Sequence, residues 1–199
     1  GLAIGTRPDC IDSEKLALLE SLGKKHFILV EYGLQSIYDK TLRFINRGHD
    51  YKTFLDAVSL TISRGISVGA HLIVGFPTET REEMLKMADE VSGLHLDFLK
   101  IHQLQVVKDT PMAEMYKENP FHTFEYEEYL DFIVDFIERL SPDIVLQRLF
   151  ATAPDDMLIA PRWDRSRHQI TNDIQQRFIQ RDTFQGKKIR ALQSTGLIG

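Results

Sequence analysis

The residue types best suited to ligand chemistry lie just after an apolar stretch, residues 27–30. Gln35 and Ser36 follow that stretch closely, and Arg47 comes after one further short helical pattern. A glutamine amide both donates and accepts hydrogen bonds, and a guanidinium group presents a planar fork that matches a carboxylate. Side chains at the C-terminal ends of parallel strands build the sites of α/β barrels. The position of these side chains therefore predicts a candidate site for chemistry, with the alternative that Gln35 and Ser36 only cap the helix that follows.

Two other predicted strand ends supply further candidates. Arg7 lies in the exit G-T-R-P-D that follows the apolar residues 2–4, and His71 and Gly75 lie in H-L-I-V-G-F-P at 71–77. Each has a simpler interpretation. Pro8 and its neighbours can merely reverse the chain, and a histidine beside an apolar strand is commonly a core or rim residue.

The elements that must position these residues alternate between strands and helices. Continuous apolar runs separated by helical patterns indicate parallel βαβ units, with both faces of the sheet covered. Thr80 and Glu83 form a capping-box pattern, Asp50 and Ser13 are candidate helix caps, and Thr123 is the expected cap of a long amphipathic helix. Strands are predicted at 2–4, 27–31, 66–74, 98–107 and 144–150, and helices at 13–24, 39–46, 50–65, 80–92, 112–117, 123–140 and 168–180, with 154–163 irregular.

Composition narrows the class of protein. The 199 residues carry a net charge of −5 and are 43% hydrophobic, which is ordinary for a globular domain and gives no general attraction to nucleic acid or an anionic membrane. No apolar run approaches the roughly 20 residues of a membrane helix. The single cysteine, Cys10, excludes an intrachain disulfide, is expected to be a buried inert thiol, and fits a cytoplasmic location.

The segments E-Y-G-L-Q-S at 31–36 and R-F-I-N-R-G-H at 43–49 resemble radical S-adenosylmethionine (SAM) enzymes. The similarity is to the branch that contains oxygen-independent coproporphyrinogen oxidase and the Elongator catalytic subunit. Segments at 146–149, 160–163 and 181–186 resemble the YhcC-type radical SAM proteins. The resemblance implies strands three to six of a partial (β/α)6 TIM-like barrel with a C-terminal α/β extension. The barrel part would span 1–115 and the family-specific region 116–199.

The resemblance also implies roles for the candidate residues. Gln35 would bond the ribose hydroxyls or the methionyl group of SAM, and Arg47 would hold its carboxylate. Arg7, Ser36 and Gly75 would complete the cofactor site. Several relatives have aspartate where His71 stands, so a ribose contact by His71 is an open question. Which face of the predicted strand at 98–107 lines the barrel, the one with His102 or the one with Gln103, also stays open.

The implied activity is reductive cleavage of SAM at a [4Fe–4S] cluster, which yields a 5′-deoxyadenosyl radical. Such a cluster needs several cysteine thiolates, and one cysteine cannot supply them. The chain is therefore expected to lack the cluster-binding N-terminal part, and to be inactive and bind no cofactor alone. The full-length protein would use SAM, the cluster and an electron donor. Its substrate, whether RNA, protein or small molecule, is not indicated.

Two alternatives come from other classes. The chain could be a non-catalytic α/β binding module, or a metal-dependent hydrolase barrel, although its histidines form no H-x-H or H-E-x-x-H pattern. The groups that follow the shared barrel are either substrate contacts or a solvated basic surface with a packing tryptophan. They are Arg148, Arg162, Trp163 and Arg167. The tail after Gly186 is expected to fray.

Overall fold

The structure is a computed structural model that describes residues 1–189. Strands and helices alternate along most of this part of the chain, as the apolar runs and helical patterns predict. In chain order, the elements are β1 (Leu2–Thr6), a short 3-10 helix (Pro8–Cys10), α1 (Ser13–Gly23), β2 (Ile28–Gln35), α2 (Asp39–Phe44), α3 (Tyr51–Ile62), β3 (Ser67–Val74), α4 (Arg81–Ser92), β4 (Phe98–Gln103), β5 (Val106–Val107), α5 (Pro111–Glu118), α6 (Tyr126–Ile137), β6 (Val145–Arg148), β7 (Leu158–Ala160) and α7 (Arg167–Gln180).

The chain forms two compact units that alternate along the sequence. The sheet unit comprises Gly1–Val74, Leu94–His102 and Asp143–Arg148. The helical unit comprises Gly75–Gly93, Gln103–Pro142 and the described residues from 149 onward. The sequence-based division near residue 115 remains a prediction.

The sheet unit contains five strands in the order β1-β2-β3-β4-β6. The pairs β1–β2, β2–β3 and β4–β6 are parallel, so the predicted α/β class with a mainly parallel sheet is confirmed. Glu31 in the central part of β2 lies opposite Gly5 of β1 and Gly69 of β3. The β2–β3 register shifts between Tyr32 and Gln35, at the point where the candidate site begins.

The burial of β2 agrees with its position between β1 and β3. Its residues from Ile28 to Leu34 are buried, as expected for a strand covered on both faces. The helices contribute Leu16 of α1 and Phe54 of α3, and both side chains are fully buried. A buried hydrogen bond of 2.7 Å joins the hydroxyl groups of Tyr32 and Thr61. Each fully buried apolar side chain contributes about 1.5–3 kcal/mol, so this packing fixes the strand that carries the site.

The helical unit confirms one predicted helix start and corrects another. Thr80 and Glu83 form the reciprocal capping box at the start of α4, as predicted. The long helix α6 begins at Tyr126 and is preceded by a Glu125–Glu128 capping box, so the prediction that Thr123 caps it is wrong. The sequence pattern T-F-E-Y-E-E allows both starts. The buried face of α6 consists of Tyr129, Leu130, Phe132, Ile133, Val134, Phe136 and Ile137.

The single predicted strand at 98–107 is wrong, because it is two strands in different sheets. β4 ends at Gln103, and β5 pairs instead with β7 in an antiparallel two-stranded sheet. The segment 154–163, which was expected to be irregular, therefore contains a strand. The side-chain amide of Gln103 exchanges two 2.9 Å hydrogen bonds with the backbone of Ala151, and this fixes the chain where β4 ends.

Smaller differences concern caps and the thiol. Asp12, rather than Ser13, caps α1 by accepting a hydrogen bond from the backbone of Lys15. Cys10 is exposed, so the expectation of a buried thiol is wrong. Fraying after Gly186 stays a prediction for residues 187–189, where Lys188 forms a 2.6 Å ion pair with Glu138. The rest of that prediction, from 190 onward, lies outside the described residues.

Within residues 1–189, no helix combines the length and apolar character needed to cross a bilayer.

Candidate functional site

The site is built around Gly33, close to the C-terminal end of β2. A Cβ atom placed on Gly33 would overlap the Nη2 atom of Arg47 and would lie 2.7 Å from Nε2 of Gln35. Both side chains therefore pack directly against this glycine, from positions 14 and two residues further along the chain. The structure thus brings together the two residues that the sequence identified as the main ligand contacts.

Gln35 has an unusual backbone conformation for a residue with a side chain. Its φ is +70°, in the left-handed region, and it follows the register shift between β2 and β3. Non-glycine residues are uncommon there, and such outliers occur often at ligand sites. The Gln35 amide lies beside Gly33, on the face of the strand that a Cβ atom of Gly33 would occupy.

Arg47 is held by its own local structure. α2 ends at Phe44, and the chain returns toward β2, where Nη2 of Arg47 donates a 2.9 Å hydrogen bond to the carbonyl oxygen of Gly33. Its Nε donates to Nε2 of His49 at 3.1 Å. Within residues 1–189, Arg47 has no carboxylate partner. Burial, and then the nearby positive charge of Arg7, lower the pKa of the Arg47 guanidinium. The remaining N–H groups of this guanidinium are suited to an anionic ligand.

His49 is a supporting residue that the sequence analysis did not assign. It is buried, and its Nε2 accepts the hydrogen bond from Arg47, so the proton of a neutral ring lies on Nδ1. Nδ1 is 3.2 Å from the carbonyl oxygen of Asp50, which accepts a hydrogen bond from it. The imidazole therefore orients the Arg47 side chain. In the sequence, the only indication of this role is that His49 follows Arg47 by two residues. That spacing alone does not predict a hydrogen bond between the two side chains.

Arg7 approaches the same region from the end of β1. Its guanidinium forms a two-point pair with Asp9, with a 2.9 Å bond from Nε, and this pair lowers the pKa of the Asp9 carboxyl group. A Cβ on Gly48 would lie 3.0 Å from Nη2 of Arg7, so Arg7 packs beside the residue that follows Arg47. Because Asp9 already occupies the fork, Arg7 acts on Arg47 mainly through its positive charge, which Asp9 partly offsets.

The other predicted site residues are arranged differently. Ser36 is fully buried, and its Oγ accepts a 3.0 Å hydrogen bond from the backbone of Tyr38, so it stabilises the turn after β2. His71 lies beside Glu31 and His102. Gly75 belongs to the helical unit, where φ is +99° and the backbone N–H donates to the sulfur of Met84 at 2.9 Å. The roles of all six predicted residues in cofactor binding remain predictions.

A hollow of about 400 Å³ adjoins the Arg47 segment within the sheet unit. Its lining includes Arg47, Gly48 and His49, together with residues of α2 and α3. The chain therefore has an open space next to the guanidinium.

A second polar group lies on the same sheet and is built around Glu31 of β2. Glu31 accepts a 2.6 Å contact from the ammonium group of Lys100, and Oε1 of Glu31 is 3.8 Å from Nε2 of His71. The rings of His71 and His102 have centroids 6.2 Å apart. Lys100 and His102 therefore lie on the face of β4 that meets Glu31. In the sequence, the indication of this polar group is Glu31, a charged residue in the otherwise apolar strand β2.

The two cofactors that the resemblance implies fit the chain differently. S-adenosylmethionine carries a carboxylate and ribose hydroxyls, and the unpaired Arg47 guanidinium beside the Gln35 amide suits these groups. A [4Fe–4S] cluster does not fit, because Cys10 is the single cysteine of the sequence. Among the described residues, no group of three or more histidine, cysteine or acidic side chains could hold a metal ion.

Comparison with protein families identifies the class. Residues 1–91 match the Radical SAM superfamily, and residues 96–180 match the Radical_SAM C-terminal domain. Together these matches cover most of the chain, which belongs to the radical SAM superfamily.

Individual proteins are similar to this chain over most of its length. The chain is 38% identical to the uncharacterised protein MJ0486 of Methanocaldococcus jannaschii, over 94% of this chain and 59% of that protein. It is 36% identical to protein YhcC of Escherichia coli, over 84% of this chain and 54% of that protein. It is 30% identical to a tRNA uridine(34) acetyltransferase of Methanocaldococcus infernus, over 71% of this chain and 26% of that protein. The chain thus spans little more than half the length of MJ0486 and YhcC.

A solved structure supports the fold. The archaeal Methanocaldococcus infernus Elp3 with an N-terminal deletion superimposes with a TM-score of 0.80 at 24% identity, covering 93% of this chain and 43% of that one. This likeness is consistent with a partial TIM-like barrel.

Proposed function

We propose that this chain forms the SAM carboxylate and ribose site of a radical SAM enzyme. The observation that carries the proposal is the half-buried Arg47 guanidinium, which has hydrogen-bonding capacity to spare and no carboxylate partner within residues 1–189. An arginine that loses hydration without gaining a counter-charge is unfavourable. Binding of an anionic ligand removes that cost.

Each residue of the site has a distinct role in this proposal. Arg47 holds the ligand carboxylate with its remaining N–H groups, and His49 fixes the orientation of the guanidinium. Gln35 offers an amide to the ribose hydroxyls. Arg7 adds positive potential from the end of β1.

The chemistry supplied by bound SAM and a reduced cluster is cleavage of the sulfonium carbon–sulfur bond, which yields a 5′-deoxyadenosyl radical. The cluster thiolates would be residues outside these 199, and an electron donor would supply the electron. This chain's own residues bind and orient SAM and keep water from it. We propose a cytoplasmic location for the protein and leave the class of its substrate unassigned.

Replacing Arg47 with alanine in the full-length, anaerobically reconstituted protein tests the proposal. Charge-assisted hydrogen bonds contribute about 1.5–3 kcal/mol, so SAM affinity should fall roughly tenfold to a hundredfold in equilibrium dialysis. Iron content should stay unchanged, because the thiolates lie elsewhere. Arg165→Ala, at an exposed arginine that stacks over Tyr126, is the matched control and should bind SAM like wild type. Equal SAM affinity in Arg47→Ala and wild type would overturn the assignment.

The same preparation separates an enzyme from a binding module. An enzyme releases 5′-deoxyadenosine when a reductant is added. Tight binding of SAM with no 5′-deoxyadenosine under reduction would instead favour the non-catalytic module.

A further inference from the structure

Five ionisable side chains lie together in the sheet unit. Of these, only His71 is a predicted residue of the SAM site, and the proposal above gives it no role. They are Glu31, His71, Lys100, His102 and Arg148, from β2, β3, β4 and β6, and are called the sheet-face cluster here. The contacts that connect them all lie within the sheet unit. A cluster of this size on one face of a sheet needs a reason, because charged groups are costly to bury.

The cluster is anchored by a buried ion pair. Glu31 is 8% exposed, and its carboxylate is 2.6 Å from the ammonium group of Lys100. The residues opposite Glu31 on both sides are the glycines Gly5 and Gly69. A Cβ on Gly5 would have no other atom within 4 Å, so the space beside the anchored pair is open on the β1 side.

Hydrogen-bond donors in the cluster exceed acceptors. Lys100 has three N–H groups and one carboxylate partner, Glu31. Nη1 of Arg148 is 3.4 Å from Nε2 of His102, and Arg148 has no carboxylate partner in the described part of the chain. Nε2 of His71 is buried and makes no hydrogen bond within residues 1–189. The cluster therefore contains two cations, Lys100 and Arg148, and one anion, Glu31. It also has more hydrogen-bond donors than acceptors.

The charges act on the two imidazoles as well. Burial, followed by the positive charge of Arg148 and the neighbouring His71 and Lys100, lowers the pKa of His102 to about 4. Burial, followed by Lys100, lowers the pKa of His71, and Glu31 opposes this only in part. Both rings are therefore neutral at pH 7 and can each donate one hydrogen bond. The potential at His102 is positive.

We propose that the sheet-face cluster binds an oxyanion, a carboxylate or a phosphate of a small ligand, between Lys100, Arg148 and the two imidazoles. The anion supplies the missing counter-charge and accepts hydrogen bonds from donors that have none. The further inference that this oxyanion is part of the enzyme's substrate rests on the proposed function. The inference that the cluster binds an oxyanion does not depend on it.

Nuclear magnetic resonance of the 199-residue chain tests the proposal at neutral pH. The ring signals of His71 and His102 are followed during titration with sodium phosphate or sodium acetate, against sodium chloride at equal ionic strength. We expect saturable shifts of both rings with at least one oxyanion and none with chloride. Saturation by phosphate alone identifies a phosphate ligand, and saturation by acetate alone identifies a carboxylate. If neither phosphate nor acetate gives a saturable shift, the proposal is overturned.

Substitution of Arg148 locates the site. Arg148 is exposed, so Arg148→Gln should fold normally while losing a charge-assisted partner, and the dissociation constant should rise about tenfold or more. Arg165→Gln, at an exposed arginine of the helical unit, should bind the oxyanion like wild type. Lys100→Met is a second variant, and the dispersion of its spectrum reports whether it folds. An unchanged dissociation constant in Arg148→Gln would contradict the proposal.

The Arg47→Ala variant keeps this test separate from the SAM test. If Arg47→Ala loses SAM affinity but keeps the shifts of His71 and His102 with the oxyanion, the two sites are distinct and both proposals stand. If the shifts disappear in Arg47→Ala, the oxyanion binds at the SAM site and the sheet-face proposal fails. If SAM affinity is unchanged while the shifts persist, the SAM assignment alone fails.

Discussion

The absence of a side chain at Gly33 determines how the candidate site is built. Arg47 and Gln35 both occupy the volume that a Cβ atom at this position would need. The guanidinium can therefore reach the backbone carbonyl oxygen of Gly33 and make a 2.9 Å hydrogen bond. A glycine at position 33 is thus required for the Arg47 side chain to approach the backbone of β2 this closely.

Gly33→Ala should disrupt the site, while Gly5→Ala should not. A methyl group at Gly33 overlaps Nη2 of Arg47, so the arginine must move, and we expect a loss of about 1–3 kcal/mol of unfolding free energy. A methyl group at Gly5 meets nothing within 4 Å, and its effect should stay within about 0.5 kcal/mol. Urea unfolding of the two variants measures the difference. Equal stability of both variants would contradict the geometry around Gly33.

His102 should make folding sensitive to acid. Burial and Arg148 lower its pKa to about 4, below the ordinary value of 6.5, so the unfolded chain binds more protons than the folded chain between these values. Stability therefore rises with pH across this window, and is lost as the pH falls toward 4. A shift of this size corresponds to at most about 3 kcal/mol.

The His102→Gln variant isolates this contribution. Its unfolding free energy, measured in urea between about pH 4.5 and 7, should fall less on acidification than that of wild type, because the variant has no imidazole to protonate at this position. The comparison removes the contribution of carboxylates elsewhere, which both proteins share. Parallel stability curves for wild type and variant would show that His102 does not titrate as the structure implies.

At the scale of elements, the starts of α4 and α6 test the rule that a threonine before a helical pattern is its N-cap. Thr80 caps α4 with its hydroxyl group, and the backbone N–H of Glu83 is the donor. Thr123, two residues before the Glu125 cap of α6, has no such role in the structure.

Thr80→Ala should therefore cost stability, and Thr123→Ala should not. Loss of a threonine N-cap costs about 0.5–2 kcal/mol, whereas substitution of a residue that caps nothing should remain within about 0.5 kcal/mol. Thermal unfolding, followed by far-ultraviolet circular dichroism, measures both variants against wild type. A larger loss in Thr123→Ala than in Thr80→Ala would show that α6 begins earlier than described here.

These elements also show how far the sequence could be followed. The parallel sheet and α4 with its cap follow from apolar runs and a local capping pattern. The expected proximity of Gln35 and Arg47 came from the family resemblance, because Arg47 follows a helix and not a strand. The break between β4 and β5 did not follow, because apolar residues continue across it and the pairing of β5 with β7 is a distant contact.

The missed side-chain contacts have a similar physical cause. Glu31 stands out as a charge inside an apolar strand, but its partner Lys100 lies on β4 and no local pattern connects them. The role of Gly33 depends on the return of the chain after α2, which brings Arg47 back to β2. Cys10 is exposed because it ends a short 3-10 helix rather than entering the core.

At the scale of the whole molecule, the chain spans little more than half of MJ0486 and YhcC. In the described part of the chain, β1 is an edge strand of its sheet and pairs only with β2. Exposed edges of this kind can accept a further strand. This edge is therefore where we expect additional residues of a longer protein to join the sheet.

The interleaving of the two units has a consequence for synthesis on the ribosome. The last strand of the sheet, β6, lies 42 residues after the end of β4, and the intervening residues belong largely to the helical unit. At about 5–20 residues per second, the growing chain needs about 2–8 s to cover that distance. During this interval the outer edge of β4 has been made but its neighbour has not. Until β6 has been made, any sheet that the nascent chain forms has an open edge at β4, and unpaired edges of this kind are prone to aggregation.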